Sequence, residues 1–465
     1  MLKIRLPIHI PGSLSTSRFR TCPTTAESFI CQSECQTMQL VKLCCLTLLT
    51  VVLGASPAVA QRTSLVGARL PSEDMLNHYG LTRAWWSYAT MNSHRDHLLH
   101  LTLDEFNFYA QASSGLVTAF DAETGKRLWA AQIGGSDRAS YPLTFNDELL
   151  FVVNGMKLFA VQKFDGNIRW DLSLPAQPTT SPVSDEFRVY MGFMDGSCYA
   201  FDLALIDELN ATGMLPQWSG NAIVWRYKTS KSIIVPVVPA GDVLAFASQN
   251  GSLYSVTAEK RDLNFQFETD AKLSAPMALY DNWLLVASED YNFYAVDIRN
   301  GATPWQMTAG LPIRREPRVI LGNVYLSPER GGMYKMAAET GKIQWHHPRA
   351  EELFAVSPHR VYASDDLNNL LILSRGTGAT LGIIPLPKFT HRVVNDRTDR
   401  IYMATSAGLI LGLHETNRDF PVFHRYPDRL PLLPEFGSED AKPVDAGAPT
   451  SDEATGSDSE TDSNG

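Results

Sequence analysis

Cysteine is nearly missing from the part of this chain able to fold: five of the six (Cys22, Cys31, Cys35, Cys44, Cys45) precede residue 46, leaving Cys198 alone in the rest. A lone cysteine excludes an internal disulfide framework, and no Cys-x-x-Cys-His string offers a covalent haem site. A Gly-rich phosphate loop, a nucleophile elbow and a paired Ser and His constellation are also wanting, which removes the usual signs of nucleotide-dependent or hydrolytic chemistry. Basic charge is scarce. The formal net charge is −10, and a mildly acidic body argues against a nucleic-acid partner.

Long apolar runs are scarce as well. An uncharged stretch, residues 43–60, follows Lys42, contains Pro57 and ends in Ala58-Val59-Ala60 before Gln61. It reads as a secretory signal cut between Ala60 and Gln61. The run is short for a membrane span and Pro57 breaks a helix, so a retained anchor is the alternative and no transmembrane span is expected in the mature chain. Residues 1–37 lack apolar periodicity and Met38 stands at the usual distance before the run, so Met38 is read as the start and 1–37 as a non-native extension. Residues 437–465 hold eight acids against Lys442 and no aromatic residue, a composition expected to stay disordered. The resulting plan is 38–60 signal, 61–79 lead-in, 80–436 folded domain and 437–465 acidic tail.

What is present in abundance is self-similarity. The clearest unit is Ala119-Phe120-Asp121-Ala122-Glu123-Thr124-Gly125-Lys126-Arg127-Leu128-Trp129. Related units carry Asp165, Gly166 and Trp170; Asp202 and, after an insertion, Trp225; Phe265; Asp297, Gly301 and Trp305; and Gly341 and Trp345. A seventh, around Gly378, has lost its tryptophan. The aromatic positions 129, 170, 225, 265, 305 and 345 are 41, 55, 40, 40 and 40 residues apart, the length of a four-stranded propeller blade or of a helical hairpin. Short β-rich runs such as 149–153, 243–247 and 284–287, bounded by Gly, Asn, Asp and Pro, decide for strands. Each Asp-x-x-Thr-Gly reads as a tight turn, Asp capping it and Gly supplying the left-handed residue. Each terminal aromatic is expected to pack on the neighbouring blade.

Counting strands before these turns gives eight blades, with seven the alternative. The last lacks a tryptophan strand, while Trp85-Trp86 near the mature N-terminus belongs to a strand without a turn. That strand, with Trp86 taken as its repeat position, is expected to close the ring. The fold class is therefore an all-β, eight-bladed β-propeller closed by an N-terminal strand, leaving no free sheet edge.

The Ala-x-Asp-x-x-Thr-Gly-Lys-x-x-Trp string resembles the tryptophan-docking motif of the pyrroloquinoline-quinone-like (PQQ-like) propellers, a group that includes the quinoprotein alcohol dehydrogenases and non-catalytic relatives such as the BamB family of outer-membrane assembly factors. The resemblance spans roughly residues 80–415. In the dehydrogenases it implies a quinone over two adjacent bonded cysteines with calcium held by Glu, Asn and Asp. Here the adjacent pair, Cys44-Cys45, sits in the signal, and Glu289, Asp290, Asp365 and Asp366 read as turn residues. No PQQ, calcium or other cofactor and no catalytic residue is expected, and what the resemblance implies is a periplasmic or cell-envelope scaffold for a protein or peptide partner, itself monomeric. A quinone-dependent dehydrogenase and a small-ligand or glycan sensor are the alternatives.

His94-x-x-His97-x-x-His100 suggests zinc or copper, but residues three apart on a strand face opposite ways, so no metal is expected there; His346-His347 diverge likewise. Leu203, Leu205, Ile206 and Leu209 predict a short amphipathic helix ending near Gly213, expected to pack on its own blade. Arg314-Arg315-Glu316 and residues 395–400 read as charged turns, solvated or lining the axis.

Overall fold

The computed structural model describes residues 69–425 apart from 137 and 216–218. The signal, the Ala60-Gln61 junction, Met38 and the acidic tail lie outside the described residues. Among the described residues, thirty-two strands form eight antiparallel four-stranded sheets, each a blade. Blade 1 runs Leu98–Leu103, Asn107–Ala112, Leu116–Asp121 and Arg127–Gln132 from inside to outside. Blades 2 to 7 follow as residues 144–173, 183–228, 238–268, 278–308, 318–347 and 352–384. Blade 8 takes three strands from the C-terminal end, His391–Val393, Ile401–Ala404 and Leu409–Glu415, and its outermost strand, Leu81–Tyr88, from the N-terminal end. That pairing places Trp86 opposite Leu411 and Tyr88 opposite Leu409, and it closes the ring.

The second strand of a blade is buried on both sides, which is why Leu149–Asn154 and Val243–Ala247 are continuous apolar runs, not alternating ones. Outermost strands alternate: Arg127–Gln132 buries Trp129 between exposed neighbours. The core is therefore not at the axis. Eight apolar clusters each straddle one seam between adjacent blades, from Tyr109 and Trp129 against Phe159 at the first seam to Trp85 and Tyr402 against Phe108 at the last.

A recurrent irregularity aims the aromatic across each seam. In blades 1, 2, 3, 4, 6 and 7 a bulge interrupts the third and outermost strands beside the aromatic position, as between Ala119 and Phe120 opposite Trp129. The closing strand carries its own between Arg83 and Trp85. A bulge adds a residue and a local twist, which turns the next side chain toward the neighbouring blade.

The lead-in is more than a linker: a helix α1, Glu73–His78, capped by Ser72, buries Leu76 among Phe354, Leu370 and Leu413. The insertion forms a second helix α2, Leu203–Ala211, capped by Asp202, whose Oδ1 accepts from Leu205 N at 3.0 Å. As expected, α2 packs on its own blade, against Val189, Met191 and Phe201, and it also crosses a seam. Ile206 is fully buried with Trp170 and Leu172 of blade 2, and Asn210 Nδ2 donates to Arg169 O at 3.2 Å. The reason is the space: α2 replaces the tight turn on which Trp170 would otherwise rest.

Candidate functional site

Antiparallel connectivity gives the ring two unlike faces. Connections between first and second strands, and between third and outermost strands, share one face; the second-to-third and inter-blade connections share the other. The first face is stitched together blade by blade: Ala122 N donates to Phe106 O at 2.8 Å, Lys163 N to Glu148 O at 3.0 Å, and Leu203 N to Phe187 O at 2.9 Å.

The repeat residues hold this face. Asp121 Oδ1 accepts from Thr124 N and Thr124 Oγ1, both at 2.8 Å, and Asp297 Oδ1 accepts from Arg299 N at 2.8 Å. Asp165 does the same for Asn167 N at 2.9 Å. Each indole then lies on the next blade's turn. Trp129 Nε1 donates to Lys163 O at 2.7 Å with its ring against Gly166, Trp305 Nε1 to Ala338 O at 3.1 Å against Gly341, and Trp345 Nε1 to Arg375 O at 3.0 Å against Gly378. A Cβ at Gly341 would lie 2.5 Å from Trp305, so the close approach demands glycine as much as the φ of +65° does. Phe265 lies on Gly301 in the same way. Trp225 Nε1 reaches Ala258 O at 2.8 Å, although Arg261, at φ +60°, takes the left-handed place that glycine has elsewhere.

Three positions depart from the repeat. The docking tryptophan of the closing strand is Trp85 and not Trp86: Trp85 is buried against Gly125 and donates to Ala122 O at 2.8 Å, whereas Trp86 is 51% exposed. The bulge after Arg83 shifts the strand register and so swaps the two side chains between faces. Trp170 has no acceptor for Nε1, because α2 supplies apolar side chains where a turn carbonyl would be. At the position that lost its tryptophan, Gly382 lies under the ring of Tyr79, which fills the gap from the lead-in.

The other sequence candidates are dispersed. Asp365 is fully buried and accepts from Leu367 N, Asn369 N and Asn369 Nδ2 at 3.0, 2.8 and 2.8 Å, with Arg349 Nη2 at 3.1 Å. Burial alone would raise its carboxyl, but these donors hold it below the ordinary carboxylate range. Asp290 caps a turn through Asn292 N at 2.9 Å, and Glu289 is spanned by Arg314, Ser274 and Lys272. These carboxylates are committed to loops. His100 Nε2 lies 3.1 Å from Ser140 O, and burial, with His100 and His97 nearby, lowers the His391 imidazole. Among the described residues no three His, Cys, Asp or Glu side chains converge as a metal ion requires.

The charged turns separate. Arg315, Glu316 and Arg318 line a recess of about 160 Å³ in the axial channel, where Arg315 pairs with Glu351 at 3.1 Å and Arg318 with Glu316 at 2.7 Å. Residues 395–400 are mostly buried, with Asp396 exposed. Asn395, Asp399 and Arg400 are buried, and Arg400 donates to Arg418 O at 2.9 Å and Asp419 O at 2.7 Å while pairing with Glu123 of blade 1 at 3.1 Å. This cluster clasps the segment after the last strand and ties blade 8 to blade 1. No periodic signal marks it, because it lies outside the repeated turn motif.

A closed ring of eight four-stranded blades, six of them locked by an aromatic lying on the next blade's turn, defines a PQQ-like β-propeller. The family model described as outer membrane protein assembly factor BamB matches residues 113–206 and 219–361, half of the chain, and the chain belongs to that family. Outer membrane protein assembly factor BamB of Yersinia pestis is 20% identical over 337 residues, covering 66% of this chain and 81% of the relative. The crystal structure of BamB from Moraxella catarrhalis matches with a TM-score of 0.55 at 14% identity, over 73% of this chain and 98% of that one. A computationally designed protein, Ika8, matches at 0.53 and 12% identity, over 69% and 96%. At these identities the structural likeness is one of fold.

Proposed function

We propose that this protein is a non-catalytic scaffold of the cell envelope that binds a protein partner during outer-membrane protein assembly. Membership of the BamB family carries the reading. The relatives' name states a role in assembly, and no helix among the described residues is long and apolar enough to cross a membrane. In the recess lined by Arg315, Glu316 and Arg318 the charges pair with one another. The described cysteine, Cys198, is buried and isolated.

The test is site-specific crosslinking of the chain within intact envelopes, followed by identification of the adducts and measurement of outer-membrane β-barrel protein levels in a strain lacking it. A defined adduct with reduced barrel levels is the expected result; no adduct and unchanged levels would overturn it. The quinoprotein alternative is settled by calorimetric titration with PQQ and calcium and a dye-linked alcohol oxidation assay, with neither binding nor turnover expected.

A further inference from the structure

The connections between first and second strands are not alike around the ring. In blades 4, 5 and 6 they are tight turns containing Gly241, Asp281 and Leu321 at φ of +63°, +52° and +49°. In blades 1, 2 and 3 they are longer and repeat a sequence: Asp104-Glu105-Phe106, Asn146-Asp147-Glu148 and Asp185-Glu186-Phe187. The first residue of each is consumed by the loop. Asp104 Oδ1 accepts from Glu105 N at 2.7 Å, Asn146 Oδ1 from Leu149 N at 2.8 Å, and Asp185 Oδ1 from Phe187 N at 2.8 Å. Beyond these caps, Asp147, Glu148, Glu186 and Phe187 are exposed.

Two phenylalanines of this face, one in the blade 3 loop and one in the turn before the outermost strand of blade 2, are costly in water. Phe187 is 67% exposed, and Phe164, held beside Glu148 by the Lys163 N to Glu148 O bond, is 93% exposed. Phenylalanines displayed on these loops form an apolar surface that a monomer gains nothing by showing. On the same face, bounded by the loops of blades 2 and 3 and by α2, lies an open groove of about 560 Å³ whose walls carry Asp147, Glu148, Asp185, Glu186 and Asp207. Arg169 enters it and pairs with Asp207 Oδ2 at 2.9 Å, leaving Asp207 Oδ1 out of contact with solvent and without a donor. The groove therefore carries excess negative charge, and exposed phenylalanines stand on neighbouring loops of the same face.

We propose that this face of blades 1 to 3 docks a partner segment in which lysine or arginine alternates with apolar residues, the cations entering the groove and the apolar side chains covering Phe164 and Phe187. The assignment rests on the partner-binding reading and adds to it the face and the chemistry of the partner. Charge complementarity selects the occupant: the same carboxylates repel anionic lipid and nucleic acid.

The test uses the full chain and a fluorescein-labelled 14-residue peptide alternating lysine with leucine and serine, alongside a counterpart with glutamate in place of each lysine. Anisotropy is read at low and moderate salt. The lysine peptide binds saturably, more weakly as salt rises, and the glutamate peptide does not. Glu148→Lys with Glu186→Lys weakens binding about 10-fold or more and flattens the salt dependence. Phe164→Ser with Phe187→Ser weakens it about 10-fold and leaves the salt dependence. Leu367→Ser, on the opposite face, changes nothing. All these side chains are exposed, so unchanged thermal transitions certify folding. Equal binding of both peptides, binding of neither, or variant affinities within about twofold of wild type overturns the proposal. So does concentration-dependent self-association abolished by the charge reversal, which would make a second copy the occupant. Crosslinking of the phenylalanine variant in envelopes separates the two readings: adducts that persist sink the docking face and keep the scaffold, whereas a wild-type chain without adducts sinks the scaffold.

Discussion

Replacing Trp85 by Ala should open the ring at its one seam between distant parts of the chain, and replacing Trp86 should not. Trp85 is buried against Gly125 and Gly412, with ring centroids 6.2 Å from Phe108 and 5.9 Å from Tyr402. Its hydrogen-bond acceptor, Ala122 O, keeps a second donor in Tyr402 OH at 3.0 Å, so the loss is one of packing and leaves no orphaned carbonyl. Truncating a buried tryptophan costs about 3–5 kcal/mol. With unfolding entropy of about 2.1 cal/mol/K per residue over roughly 350 ordered residues, that lowers Tm by about 4–7 °C. Trp86, half exposed, should cost about 0.5 kcal/mol or less, under 1 °C. A double-mutant cycle sharpens the point. In wild type, Gly125→Ala forces a methyl to within 3.0 Å of the indole at φ +67°; in the Trp85→Ala background the collision is gone and only the left-handed strain of about 1–2 kcal/mol remains. Thermal denaturation by circular dichroism reads all four chains. Equal losses for the two tryptophans, or strict additivity with Gly125, would refute the closure register.

Gly341→Ala should cost clearly more than Gly241→Ala, since both glycines have positive φ but only Gly341 has an indole above it; their Tm difference measures the docking contact itself. The Cys198 thiol, fully buried and pushed well up by desolvation, should react with a thiol reagent only on unfolding, in a chain starting at Gln61. Lys335 is 5% exposed, and burial together with the Arg375 charge pulls its ammonium down to about 8. Between that value and its ordinary 10.5 the unfolded chain holds a proton that the folded chain lacks, so stability rises with pH across this window. Below it the full cost applies, about 3 kcal/mol. Lys335→Met should flatten that rise in denaturation midpoints from pH 7 to 10 and leave no orphan, because Trp345 Nε1 still donates to Arg375 O.

The fold was legible because a propeller repeats its constraints. Asp121, Gly125 and Trp129 are fixed together by one turn and one seam, and the same demand recurs every forty residues, so eight blades and their closure could be counted from the string. What broke the repeat was less legible, in each case for a local reason. Trp85 and Trp86 are neighbours in a strand, and only a bulge invisible to periodicity decides which turns inward. The Asn395 to Arg400 cluster looks solvated by composition, yet Arg400 is buried because its partners, Glu123 and the carbonyls of Arg418 and Asp419, come from both ends of the ring. The acidic loops of blades 1 to 3 were present in the sequence as three related triplets, two of them ending in phenylalanine, but a triplet between strands reads as a turn until the exposure of its side chains is known. Residues that hold a repeat fold are constrained by neighbours the sequence itself supplies. Residues that meet a partner are constrained by a molecule outside it, which is why Phe164 and Phe187 become informative only once the ring shows that nothing in the described chain covers them.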